Sequence, residues 1–205
     1  MGDRSLLEHA GEIPDEGSPA LDTWRSGLFR FSKVEVFVAF EHILRQSRED
    51  GLTGLLRQPA FRNIMESVLQ RARGNGGKTA SVLMIDADHF KEVNDGPGGH
   101  AAGDKALVLL AKAMRKAGRP TDVVCRRGGD EFAVLLPNTN CANAVAVAER
   151  IRKQVAGDLS GFGVTVSVGV ACTGRTFDPD TLIDTADKAL RAAKDEGKDR
   201  VRFRS

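Results

Sequence analysis

Three features of this 205-residue sequence predict an α+β fold with a ferredoxin-like βαββαβ core. Residues 80–85 form a near-continuous apolar run leading into Asp86 and Asp88, the pattern of a central strand. Residues 123–127 and 131–136 are short apolar segments joined at Gly128-Gly129 and read as a β-hairpin. Residues 164–172 alternate valine with small polar residues, as a further strand does, and helical stripes separate these segments. The resulting order over 80–172 is β-α-β-β-α-β, an antiparallel sheet with helices on one face, extended by further helices at both ends.

The elements follow in order along the chain. Residues 1–20 are rich in Gly, Pro, Ser and acids without periodicity and read as a mobile tail. Over 21–49, Val34, Phe37, Val38 and Leu44 keep helical spacing with Val36, Phe40 and Ile43 on an adjoining stripe. So wide an apolar arc must bury itself, either on its own domain or as a dimerising, signal-relaying helix. Residues 50–205 form the remaining domain. A helix over 60–73 ends at the Gly-Asn-Gly-Gly stretch 74–77, and Leu107, Leu110, Ala111 and Met114 mark a helix ending at Gly118. Ala144, Val147, Ala148, Ile151 and Val155 form the stripe of the next helix. Asp178-Pro179 reads as an N-cap followed by proline at the first helical position, and Gly197 as that helix's stop. Residues 199–204 offer an edge strand.

Composition narrows the function. Hydrophobic residues make up 41% and charged residues 28%, and 30 Lys+Arg against 28 Asp+Glu leave a formal charge of +2. That balance points away from a general nucleic-acid or membrane binder. The longest apolar run, 106–111, is far below the roughly 18 residues of a membrane span, and the acidic N-terminus lacks the order of a signal peptide. A cytoplasmic protein is expected, with Cys125, Cys141 and Cys172 as reduced, buried thiols.

Asp86 and Asp88, two apart on one strand, share a face, and in a split βαβ sheet the hairpin carrying Asp130 and Glu131 is the neighbour, so Asp86 can face Asp130 across the sheet. Carboxylates gathered at one sheet edge repel unless a cation lies between them, which suggests Mg²⁺ or Mn²⁺. Asp88 alone reads equally as a solvated strand-end acid. Gly128-Gly129 permits positive φ and close approach to a ligand, although tight turns use such pairs anyway. Lys91, Lys194 and Lys198 would together suit a triphosphate, while each alone reads as a surface lysine. Asn94, His100 and Asp104 lie between the first strand and the next helix. Asn and Asp offer the donors and acceptors a purine edge needs, or else serve loop and N-cap roles.

The segment Arg126-Arg127-Gly128-Gly129-Asp130-Glu131-Phe132 resembles the signature of GGDEF-domain diguanylate cyclases. Asp50-Gly51-Leu52-Thr53-Gly54-Leu55, Asp86-Ala87-Asp88-His89-Phe90-Lys91-Glu92-Val93-Asn94-Asp95 and Gly99-His100-Ala101-Ala102-Gly103-Asp104 resemble further motifs of that family in the same order. The strand at 164–171 and the segment from Ala186-Asp187-Lys188-Ala189-Leu190 through Arg200-Val201 complete a match over about 50–203. The resemblance implies the palm-like fold of nucleotidyl cyclases and polymerases, and condensation of two GTP into cyclic di-GMP with release of two pyrophosphates. It implies two Mg²⁺ or Mn²⁺ per site held by Asp86, the Ala87 carbonyl and Asp130, with Asp130 as proton acceptor and Glu131 in support. Asn94 and Asp104 would read guanine, His100 would line the substrate site, and Lys91, Lys194 and Lys198 would meet phosphates beside Gly128 and Gly129. Each 3′-hydroxyl must attack the other nucleotide, so a two-fold homodimer is implied. Arg119 and Asp122, with five residues between Asp122 and Gly128, resemble the RxxD site at which the product inhibits.

Departures from the family pattern carry expectations of their own. Arg57-Gln58 replaces the usual Asn-Arg, and Arg191 stands where tyrosine is common. Gly96-Pro97-Gly98 lengthens its loop by one residue, which would move Asn94 relative to Asp104. The alternatives to an active cyclase are a degenerate member acting as a GTP or cyclic di-GMP receptor, and a ferredoxin-like interaction module.

Overall fold

A computed structural model describes residues 48–74, 79–174 and 176–204. The expected tail over 1–20, and the expected 21–49 helix apart from Arg48 and Glu49, lie outside the described residues. The chain runs β1 (Leu56–Arg57), α1 (Gln58–Gly74), β2 (Ser81–Asp88), α2 (Phe90–Asp95), α3 (Gly99–Ala117), β3 (Val123–Gly128) and β4 (Glu131–Leu136). It continues through α4 (Cys141–Asp158), β5 (Thr165–Cys172), α5 (Pro179–Asp195) and β6 (Val201–Arg204).

The six strands form one sheet in the order β1-β3-β4-β2-β5-β6. At its centre β2 pairs antiparallel with both β4 and β5, and β3 with β4. This is the expected ferredoxin-like core. The short β1 and the edge strand β6 add parallel neighbours at its two sides.

All eight residues of β2 are buried, which explains a continuous apolar run in place of alternation. Its side chains still alternate between faces. Leu83, Ile85 and Ala87 join the cluster built with α3 and α4, including Leu110, Met114, Ile151 and Val155. Val82 and Met84 join a second cluster with Phe61, Met65 and Leu69 of α1 and Leu182, Ala186 and Leu190 of α5. Helices therefore cover both faces. The expectation of helices on one face holds for α3 and α4, while the flanking helices α1 and α5 close the other.

Helix ends follow their local chemistry. Asn140 caps α4 by accepting from the Asn143 amide at 2.9 Å, and Asp178 caps α5 by accepting from the Thr181 amide at 2.8 Å, with Pro179 next. Gly118 follows α3, as expected, and Gly197 follows α5 with φ 110°.

The cysteines require a correction. Cys141 at the start of α4 and Cys172 at the end of β5 form a disulfide with a Cα–Cα distance of 5.6 Å. Only Cys125 is a free buried thiol among them, and burial pushes its pKa up to about 12 against the pull of Arg127. A separation of 31 residues gives no hint in the sequence that a helix start lies beside a strand end.

Candidate active site

Parity along β2 determines where the acids point. Asp86 and Asp88 continue the series of Val82 and Met84, so they lie on the sheet face covered by α1 and α5. Asp86 is 8% exposed, and Lys194 from the last turn of α5 reaches its Oδ2 at 2.7 Å. Burial raises the Asp86 pKa above the ordinary aspartate value. Lys194 opposes that rise, while the charges of Asp130 and Glu131 reinforce it.

The hairpin places those two acids beside β2 with an offset from the expectation. Asp86 pairs in register with Glu131, not Asp130, and the Asp130 carbonyl accepts from the Ala87 amide at 3.2 Å. Asp130 occupies the turn itself. Only Gly129 has positive φ, at 52°, so the two glycines are not equivalent. A single positive φ at the first central residue is the requirement of a II′ turn. Gly128 ends β3 with ordinary φ, and a Cβ added there would meet nothing within 4 Å.

Two arginines to which the sequence alone assigns no separate role clasp this hairpin. Arg126 donates from Nε and Nη2 to the Gly129 carbonyl at 2.9 and 2.8 Å, and from Nη1 to Asp50 at 3.0 Å. Asp50 also accepts from the Thr53 amide and hydroxyl at 2.9 and 2.7 Å. Burial opposes ionisation of Asp50, but these hydrogen bonds outweigh it and hold its pKa below the ordinary value. The Asp50–Leu55 motif is thus a brace for the turn. Arg127 reaches Asp187 of α5 at 3.1 Å and ties the same hairpin to the helix that carries Lys194. The sequence signal was present in both motifs, but Asp50 and Arg126 are 76 residues apart and nothing local joins them.

Replacing Asp50 with alanine leaves Arg126 and the Thr53 amide without their acceptor, at an expected cost of about 2 kcal/mol. Because the folded pKa is depressed, this contribution is present above the unfolded aspartate value near 4. It is lost as pH falls through the lower folded value. Thermal unfolding of parent and Asp50→Ala should therefore differ at pH 7 and converge as the pH drops below about 4.

The residues expected to read a base lie on α2 and α3. Asn94 packs on Gly103, where an added Cβ would stand 2.0 Å from Asn94 Oδ1 and 3.2 Å from Phe90 Cζ. The longer 96–98 loop therefore leaves Asn94 against the turn of α3 that carries Asp104. Asp104 and His100 are exposed on that helix and Lys91 is exposed on α2. Lys198 is half-buried in the turn after α5. Of the three expected lysines only Lys194 makes an ion pair with a site acid among the described residues.

Asp88 is 2% exposed and is not a solvated strand-end acid. It accepts from Thr165 Oγ1 at 2.9 Å, Ser167 Oγ at 2.7 Å and the Asp199 amide at 3.1 Å. Asp122 accepts from the Arg119 amide at 2.7 Å and closes its own loop, leaving the Arg119 side chain exposed. Among the described residues no three His, Cys, Asp or Glu side chains converge as a pre-built metal cage. The oxygen donors available are Asp86, Asp130 and the Ala87 carbonyl. A hard divalent cation suits that set, and the unfavourable charge on Asp86 is the kind a cation relieves.

Comparisons with known proteins agree with this architecture. The family model for the diguanylate cyclase GGDEF domain matches residues 47–200. Diguanylate cyclase A of Treponema denticola is 39% identical over 180 residues, covering 83% of this chain and 48% of the relative. Response regulator PleD of Caulobacter vibrioides is 37% identical over 169 residues, covering 78% of this chain and 37% of the relative. The chain thus spans half or less of these relatives' lengths. A crystal structure of the coiled coil and GGDEF domain of DgcB from Caulobacter crescentus, in complex with c-di-GMP, superposes with a TM-score of 0.75 at 27% identity. That likeness covers 90% of this chain and 97% of the other. The Arg126–Phe132 signature in its clasped hairpin, the six-stranded sheet and these matches together show that the chain belongs to the GGDEF-domain diguanylate cyclase family.

Proposed function

We propose that this chain condenses two GTP into cyclic di-GMP and two pyrophosphates. The observation that carries the reading is the buried Asp86, set against Asp130 and Glu131 and neutralised by Lys194, beside a glycine turn open to a ligand. In this reading Asp86, the Ala87 carbonyl and Asp130 hold two Mg²⁺ or Mn²⁺, which supply charge neutralisation at the α-phosphate and the leaving pyrophosphate. Asp130 takes the proton of the attacking 3′-hydroxyl and Glu131 supports it. Lys91, Lys194 and Lys198 meet the phosphates, while Asn94 and Asp104 read guanine and His100 lines the site. Each protomer presents one GTP, so the productive species is a homodimer with facing sites. The expected dimerising helix over 21–49 would raise the effective concentration of that encounter. Exposed Arg119, with Asp122 shaping its loop, binds the product as an inhibitor.

Incubation of the protein with GTP and Mg²⁺ should yield cyclic di-GMP by chromatography, and Asp130→Ala should yield none. Added cyclic di-GMP should slow the parent, with Arg119→Ala needing about tenfold more for the same inhibition. No product from a forcibly dimerised protein that still binds GTP would sink the cyclase reading and leave a receptor.

Gly128 gives a sharper test. An alanine there meets no atom of the chain and needs no unusual φ, so the fold should tolerate it, with Tm unchanged within about 1 °C. If the open space admits the nucleotide, the same methyl should weaken GTP binding at least about tenfold by calorimetry. Unchanged GTP affinity in Gly128→Ala would count against a ligand at this turn.

A further inference from the structure

The turn between α5 and β6 holds three consecutive residues at positive φ: Gly197 at 110°, Lys198 at 61° and Asp199 at 43°. Glycine takes such a conformation freely, but Lys198 and Asp199 do not, and side-chain-bearing residues keep it only where surrounding contacts enforce it. Those contacts are specific: the Gly197 amide donates to the Lys194 carbonyl at 3.2 Å, and Arg200 Nε donates to the Lys198 carbonyl at 2.9 Å. The Lys198 amide donates to the Ala193 carbonyl at 3.1 Å, and the Asp199 side chain accepts from Arg152 at 2.8 Å. The Asp199 amide donates to Asp88 Oδ2 at 3.1 Å.

Asp88 is suited to that last contact in a way few side chains are. Its carboxylate accepts three donors, from Thr165, Ser167 and Asp199, and gives none back. It sits two residues beyond Asp86 on the same face of β2; its partner Thr165 lies directly across on β5, and Ser167 lies across from Asp86, diagonal to it. The strand that presents Asp86 therefore also fixes the backbone immediately after Lys198. Lys194, one end of the same segment, is already on Asp86 at 2.7 Å.

We propose that Asp88 is a positioning residue that acts through the Asp199 amide to hold the 197–199 turn and so direct Lys198 toward the phosphate end of the site. The inference rests on the reading of Lys198 as a phosphate-binding group. Asparagine is the informative replacement, because it keeps shape but gives up the charge and one of the two acceptor oxygens, so the Asp199 amide loses a charge-assisted hydrogen bond.

The test is calorimetric binding of α,β-methylene GTP and of GMP, each with Mg²⁺, to the full chain. The parent should favour the triphosphate. Lys198→Met should remove about tenfold of that preference, and Asp88→Asn should do the same with little effect on GMP. The Asp88→Asn/Lys198→Met pair should be no worse than Lys198→Met alone, as expected when one residue acts through the other. Thr165→Val with Ser167→Ala spares the amide contact and should retain the preference. Asp88→Ser, whose shorter acceptor is drawn back from the turn, serves if Asp88→Asn does not fold.

Several results would overturn the proposal. One is equal weakening of GMP and the GTP analogue by Asp88→Asn. Another is multiplication of the two single effects, and a third is loss of preference in the Thr165/Ser167 variant. A Lys198→Met protein with intact preference beside a defective Asp88→Asn would overturn the route through Lys198 alone. A parent indifferent to the number of phosphates would overturn the phosphate reading itself.

Discussion

Replacing Asp86 with asparagine is expected to abolish cyclic di-GMP synthesis, by at least about a thousandfold, while raising Tm by about 2–4 °C. Loss of activity follows from removing the buried carboxylate that would share a divalent cation. The gain in stability follows from the electrostatics of the folded chain. Burial disfavours the ionised acid, Lys194 compensates in part, and Asp130 and Glu131 add repulsion, so the folded pKa is raised. A carboxyl with a raised folded pKa contributes stability when protonated, and that contribution is lost as pH rises through the folded value. At pH 7 the ionised group is therefore a net cost, which an isosteric amide removes. The difference between parent and Asp86→Asn should shrink as pH falls and vanish below about 4, where Asp86 is protonated in both folded and unfolded states. A variant that is both inactive and less stable at pH 7 would contradict this account. Functional sites commonly hold groups that the fold alone would discard.

Gly169→Ala is expected to have the largest effect on the fold. A Cβ at this position in β5 would stand 2.1 Å from the Ala186 carbonyl oxygen and 2.2 Å from the Leu190 amide nitrogen of α5. Both are backbone atoms, so no rotamer change relieves the overlap, and the helix must move off the sheet. The expected cost is about 4 kcal/mol, or about 10 °C in Tm. Because α5 carries Lys194 and Asp187, its displacement also withdraws the partners of Asp86 and Arg127. Denaturant melts of Gly169→Ala and Gly128→Ala, side by side, separate a glycine required by packing from one required by a ligand. Equal stability of the two variants would refute the distinction.

Much of this was legible in the sequence because the signals were local. Asp178-Pro179 announced the start of α5, the apolar run at 80–85 announced β2, and the flanks of Gly128-Gly129 announced the hairpin. Strand β2 runs on through Asp88, since burial of Asp86 and Asp88 by α5 and its following turn cannot be read from the acids themselves. The two-residue β1 was missed because its parallel pairing with β3 depends on a partner far along the chain. The short α2 was missed because six residues hold too little periodicity to register. At the site, residue types and order were visible, but pairings were not. Asp86 opposes Glu131 by a register that only the hairpin geometry determines. Arg126 with Asp50, and Asp88 with Asp199, join residues 76 and 111 positions apart.

The contact between Lys194 and Asp86 makes the lysine an internal counter-ion. A bare divalent cation must compete with this tethered charge for the same carboxylate. A cation already chelated by a triphosphate brings with it an anion to which the ammonium group can transfer. If the chain binds metal and GTP as proposed, association is expected to be ordered: titration with magnesium alone should be nearly flat, and metal and nucleotide should enter as one body. On the proposed reading the lysine would act as a lock against the bare ion and as a receptor for the chelate.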